Sequence, residues 1–177
     1  LRPADAAETS VCWKMAMENN ATPTALILSR QDIPDLPGLT AERYEEALGA
    51  QRGGYVVRPV DAPAVTLVAN GSEVSLLMEV AALLAKEGVE ARVVSVPSIG
   101  LFLDQPADYR KSVIPNNAPV FGLTAGLPST LRSVVGQFGE VFGLDHFGAS
   151  APYKVLDEKF GVTPQAVVER VRLYMSK

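Results

Sequence analysis

Apolar residues in the first twenty positions recur three or four apart. Ala7, Val11, Cys12, Met15 and Ala16 fall on one side of a helix predicted to run to about Asn19. Asp5 precedes that stripe and Glu8 follows it by three, a capping-box start with a carboxylate in place of the usual hydroxyl. After Pro23 the pattern becomes an unbroken apolar run from Ala25 to Leu28, which predicts a buried strand. A helix and one strand cannot enclose a core, so this opening, which begins at Leu rather than Met, is expected to be the tail of a larger α/β domain. Between Asp32 and Gly54 the chain carries Pro34, Pro37, Gly38, Gly49, Gly53 and Gly54, the punctuation of a linker. A short helix from about Thr40 to Leu48 fits inside it, capped by Thr40 and solvated through Glu42, Arg43, Glu45 and Glu46.

From Tyr55 the pattern alternates between strand and helix periods. Val56 and Val57 start a short strand. Ala64 to Ala69 is a β-branched apolar run of the kind that fills a buried parallel strand. Asn70-Gly71 then turns the chain into a helix that Ser72 can cap, with Val74, Leu77, Ala81 and Leu84 on one face and Gly88 just past its end. Ala91 to Val96 is the next strand, and the unit of about thirty residues fits a βαβ crossover. A short helix is expected over Pro106 to Val113, a strand over Pro119 to Leu123, and a helix over Pro128 to Phe138 with Leu131, Val134, Val135 and Phe138 inward. A last short strand is expected over Val141 to Leu144. Two helices close the chain, Pro152 to Phe160 and Pro164 to about Met175, each with proline near its first turn. In the last, Val167, Val168, Val171 and Tyr174 form the apolar stripe, and Arg170, Arg172 and Lys177 suit the negative end of the helix dipole. The predicted fold class is α/β, a three-layer sandwich with a mostly parallel mixed sheet, preceded by a partial α/β segment.

Composition narrows the function. The 177 residues are 47% hydrophobic and 20% charged, and mean hydropathy is +0.14, values of a globular chain. Sixteen basic against twenty acidic residues give a net charge of −4, the wrong sign for a nucleic-acid footprint. The single cysteine, Cys12, excludes an internal disulfide framework and a thiolate metal cage. No apolar run approaches the roughly 20 residues that span a bilayer, and no signal peptide is visible. The expected setting is the cytoplasm, with no membrane partner.

Candidate chemistry is sparse. The only histidine, His146, lacks a nucleophile-elbow companion and reads as a structural ring bonded to neighbouring backbone or a carboxylate. Cys12 lies on the apolar side of its helix, where a buried inert thiol is the usual outcome. No spacing of His, Cys, Asp and Glu suits a metal, so no metal ligands are expected within this chain, which weighs against autonomous catalysis. Asn70-Gly71-Ser72-Glu73 occupies a strand-to-helix turn, where α/β proteins bind anions; the capping role and an anion pocket are both open. Ser29-Arg30-Gln31 directly follows the Ala25–Leu28 run. Its guanidinium can grip a phosphate or carboxylate with two parallel hydrogen bonds, or form an interdomain salt bridge that pins the linker.

Taken together these segments resemble the carboxyl-terminal portion of transketolase. The similarity runs through R-P-A-D with the following E-T, T-P-T-A-L-I-L-S-R-Q, R-G-G-Y-V-V and L-V-A-N-G-S-E-V-S-L. It continues through A-R-V-V-S-V-P-S, Y-R-K-S-V-I-P and F-G-A-S-A-P-Y-K-V-L-D-E-K-F-G-V-T, in the family's order across nearly the whole chain. Thr124-Ala125-Gly126 departs from an acidic residue and small pair in many members, as does Leu131-Arg132-Ser133 from their tryptophan or tyrosine.

The resemblance implies residues 1–38 as the tail of the pyrimidine-binding domain, 39–54 as a linker and 55–177 as the family's C-terminal domain, with four parallel strands and one antiparallel. It implies an enzyme that uses thiamine diphosphate and a divalent cation (Mg or Ca) to move a two-carbon ketol unit between sugar phosphates of the pentose phosphate pathway, as a homodimer. It also implies that Arg30 contacts the phosphate of the sugar, and that the cofactor, metal and catalytic groups lie outside these 177 residues, leaving the chain inactive alone. The readings that compete with it are a stand-alone α/β regulatory module binding an anion at Gly71–Ser72, the small subunit of a split transketolase, and the C-terminal part of another thiamine diphosphate enzyme.

Overall fold

Burial dictates where the sheet lies. The computed structural model describes residues 1–39 and 41–177; the cap expected at Thr40 lies outside the described residues. Strand β2 (Val65–Ala69) is buried along its whole length, which a strand achieves only with neighbours on both edges and layers on both faces. Those neighbours are β3 (Ala91–Ser95) and β4 (Val120–Leu123), both parallel to it. β5 (Glu140–Phe142) adds in parallel beyond β4. β1 (Tyr55–Arg58) closes the other edge antiparallel to β3. The order is β1-β3-β2-β4-β5, a five-stranded mixed sheet with four parallel strands and one antiparallel.

The pleat sorts the side chains between two helical layers. Leu67 pairs with Val93 on one side and Phe121 on the other, and all three join the larger apolar cluster. That cluster takes Leu77 and Leu84 from α3 (Glu73–Ala85), Val167 and Val171 from α8 (Pro164–Met175), and Val11 from α1 (Ala6–Glu18). One residue further along the strands, Val68 and Val94 face the opposite way, as a period of two requires. They pack with Phe102 of α4 (Ile99–Leu103), Val113 of α5 (Ala107–Val113) and Leu131 and Val135 of α6 (Ser129–Val135). The helix–sheet–helix sandwich predicted from the sequence is therefore present.

α1 joins this domain through the segment expected to be a linker. Residues 43–52 form a short helix, α2 (Arg43–Ala47), continued by a 3₁₀ turn (Leu48–Arg52). Ala47 and Ala50 are fully buried with Leu36, in the same cluster as Val11 of α1. Gly53 ends the turn at φ +83°; a Cβ there would sit 2.2 Å from the Phe102 backbone N. Only glycine gives both the left-handed backbone and the close approach that start β1 beside α4.

Several expectations are corrected. Ala25 to Leu28 is extended but is not a buried strand: Ile27 and Leu28 are exposed. Its ladder bonds are two, from the Leu1 ammonium to Ala25 O (2.7 Å) and from Ile27 N to Leu1 O (2.8 Å). One paired residue cannot bury a strand whose faces carry no layer. The helix predicted to reach Phe138 stops at Val135, because Gly136 takes a positive φ, and this leaves Phe138 88% exposed. Ser72 caps nothing; its hydroxyl donates to Glu73 Oε1 at 2.7 Å. α4 was not foreseen, since five residues are too few to show a period.

Candidate functional site

The parallel strands β2, β4 and β5 all run toward one end of the sheet, and their carboxyl ends lead to Gly71, Ala125 and Leu144. Beside these lies a groove of about 850 Å³, in the position where open parallel sheets bind ligands. Its walls are the extended segment around Ile27 to Pro34, the first turn of α3, and α7 (Tyr153–Phe160). Ser29 and Gln31 line it, and the Ser29 hydroxyl donates to Gln31 O at 2.8 Å, shaping the bend. Arg30, between them, is exposed. Among the described residues its guanidinium forms no hydrogen bond or ion pair.

The Asn70–Glu73 turn carries a different arrangement from an anion pocket. Arg2 Nη1 donates to Asn70 O (2.9 Å) and Asn70 Oδ1 (2.7 Å) and forms an ion pair with Glu73. Glu73 also accepts from the Ser72 hydroxyl and, at 3.2 Å, from Ala125 N–H. The turn thus already holds a carboxylate of this chain, and a free anion there would meet its charge. Gly71, at φ +63°, has the Arg2 guanidinium 2.8 Å from where a Cβ would stand, so the turn is shaped around Arg2. Across the groove, burial first and then the Glu73 charge push the Asp157 carboxyl above its ordinary range. This geometry counts against the competing reading of an anion-binding module at Gly71–Ser72.

Ionic groups also join α1 to the sheet. Asp5 caps α1, accepting from Glu8 N–H at 2.8 Å, while Glu8 reaches back to Ala4 N–H at 2.8 Å. The capping box read from the sequence is present, displaced by one residue at its return bond. Arg43 Nε pairs with Asp5 Oδ2 at 2.6 Å, and Arg43 Nη2 donates to Tyr55 Oη at 2.8 Å. The Tyr55 hydroxyl in turn donates to Glu8 Oε1 at 2.6 Å. Burial raises the Glu8 carboxyl above its ordinary range, against the lowering effect of Tyr55, the Ala4 N–H and Arg43. Tyr55 is raised by burial and by the Glu8 charge. The linker-pinning salt bridge left open for Arg30 is made instead by Arg43. Sequence reading placed Arg43 on a solvated face, because nothing local marks a partner 38 residues away.

His146 Nδ1 lies 2.8 Å from Phe147 O, with its ring 5.2 Å from that of Phe160, on an exposed loop. Cys12 is fully buried; burial and the nearby Glu8 charge push its thiol up to about 11. Only about one part in a thousand is then thiolate at pH 8. Native chain is expected to resist a thiol reagent at that pH and to react at once in denaturant; prompt labelling of native chain would contradict this burial. Among the described residues no group of three or more His, Cys, Asp and Glu is set to hold a metal ion, and no helix is long and apolar enough to cross a membrane.

The structure defines an α/β domain with one antiparallel edge strand, an attached amino-terminal helix, and a carboxyl-end groove lined by Ser29 and Gln31 on either side of the exposed Arg30. Residues 53–163 match the transketolase-like TK C-terminal domain, and the chain belongs to the transketolase family. It is 43% identical over 174 residues to the plasmid transketolase of Cupriavidus necator, covering 98% of this chain and 25% of that protein. The fold superposes on transketolase from Leishmania mexicana with a TM-score of 0.89 at 37% identity, covering 99% of this chain and 25% of that one. On the Pichia stipitis transketolase complex with sedoheptulose 7-phosphate the TM-score is 0.84 at 35% identity, with coverages of 99% and 25%. The chain thus spans about a quarter of the length of these relatives.

Proposed function

We propose that this chain serves as the carboxyl-terminal part of a transketolase, an enzyme that transfers a two-carbon ketol unit between sugar phosphates. Within it the segment supplies a clamp for the substrate phosphate at Arg30 and contacts that assemble the subunits of a homodimer in the cytoplasm. The observation that carries the reading is the state of Arg30. It stands exposed, with no hydrogen bond or ion pair among the described residues, between Ser29 and Gln31, which line the carboxyl-end groove, so its hydrogen-bond donors remain available to a dianion. An always-charged planar fork fixes the phosphate end of a sugar while the carbonyl end lies elsewhere.

Thiamine diphosphate and a divalent cation supply the carbanion chemistry when bound to the intact enzyme. The described residues of this chain do not fit either group: they include no metal-ligand cluster, and the Asn70–Glu73 turn, the helix start where a diphosphate would sit, is already filled by the Arg2–Glu73 pair. No chemical step is therefore assigned to this chain. The 177-residue chain mixed with thiamine diphosphate, magnesium and a ketose phosphate donor is expected to show no ketol transfer. Turnover above background in a coupled assay would overturn this division of labour.

A further inference from the structure

A second cleft lies at the opposite end of the sheet, and its lining differs in charge from the rest of the molecule. It measures about 450 Å³ and sits between α5, α6 and the end of α8, beside the residues that lead into β4 and β5. That volume is within the range of small-molecule sites. Arg110 and Lys111 line it, and among its described lining residues there is no Asp or Glu. In a chain with twenty acidic residues against sixteen basic, a cleft whose charged lining residues, among those described, are both basic is a departure.

The other arginines nearby are engaged in holding its walls. Arg92 Nη1 donates to Ser112 O at 2.8 Å, fixing the end of α5. Arg132 Nη1 donates to Gly139 O at 2.7 Å, fixing the turn between α6 and β5. The Tyr174 hydroxyl donates to Phe138 O and accepts from Val120 N–H, both at 3.2 Å. The walls are therefore set before any ligand arrives. Arg110 and Lys111, by contrast, have no side-chain partner among the described residues, and Arg110 Nε is shut off from solvent without an acceptor. Val134 and Ile114 add apolar lining, and the Phe138 ring, 88% exposed, lines the cleft as well.

We infer that this cleft binds a small phosphate monoester with a planar ring, its phosphate between Arg110 and Lys111 and its ring against Phe138 and Val134. A guanidinium and an ammonium together match a phosphate dianion, and an exposed aromatic face suits a stacked heterocycle. The segment Y-R-K-S-V-I-P, which the phosphate clamp at Arg30 does not use, then has a ligand of its own. The inference stands independently of the Arg30 reading, since the two places lie at opposite ends of the sheet.

Titration calorimetry of the full chain with adenosine monophosphate tests it, with adenosine and inorganic phosphate as separate probes. The nucleotide is expected to bind saturably, and each half alone at least about tenfold more weakly. The double variant Arg110→Gln with Lys111→Gln is expected to lose about tenfold or more in nucleotide affinity, with an unchanged thermal midpoint because neither side chain makes a hydrogen bond or ion pair among the described residues. Arg30→Ala is expected to leave that affinity intact. Absence of saturable binding, equal binding of adenosine and the nucleotide, or full affinity in the double variant would each overturn the site.

Discussion

In a full-length transketolase carrying this chain, as the proposed function has it, Arg30→Ala is expected to raise KM for phosphorylated sugars by about ten- to a hundredfold. A hydrogen bond to a charged partner is worth roughly 1.5–3 kcal/mol, which sets that range. An unphosphorylated ketose donor offers nothing for the guanidinium to grip, so its KM should stay within about twofold. The side chain has no internal partner among the described residues, and its removal leaves no buried charge behind; stability should not change. Arg30→Lys keeps the charge but not the fork, and should recover only part of the loss. Steady-state kinetics with matched donors decides the matter, and equal losses for both donors would refute the clamp.

The largest effect on stability is expected at Arg43. Its side chain is 12% exposed, while those of Asp5 and Glu8 are fully buried. Arg43→Ala leaves Asp5 without its 2.6 Å ion pair and Glu8 without a nearby positive charge. Removing one member of a buried pair typically costs about 3–5 kcal/mol, because the other charge stays in a low-dielectric site. Glu8 adds a pH dependence whose sign follows from its burial. Its folded carboxyl titrates above the unfolded value of 4.5, so the folded state holds the proton longer. Stability therefore falls as pH rises from about 4.5 through the folded pKa. Arg43→Ala removes one influence that lowers that pKa, so the fall should extend to higher pH. Urea denaturation at pH 4.5 and 7 measures both effects; a loss under about 1 kcal/mol at pH 7 would show that the network contributes little.

Most of the fold was legible because the signals were local. Val65 to Ala69 reads as a buried strand from its composition, and β2 is the fully covered centre of the sheet. Asp5 and Glu8 mark the start of α1 because a cap operates within one turn. Val167, Val168 and Val171 lie on one stripe of α8 and all three are buried. The errors arose where the same local signal had two readings. Ser72 sits where a cap belongs, but the Glu73 carboxylate took its hydroxyl. Phe138 continues the apolar spacing of α6, yet Gly136 had already ended the helix.

The candidate site divides along the same line. Sequence alone determined the α/β class, the chain order of the five sheet strands, and the position of Arg30 just after an extended apolar run. Each of these depends on residues within a few positions of one another. Only the tertiary structure decided that Glu73 is held by Arg2, 71 residues away, that Arg43 and not Arg30 pins the linker, and that Arg110 and Lys111 share a cleft with Phe138. Those outcomes depend on which distant charges burial brings together, and burial is a property of the packed sheet rather than of any segment in it.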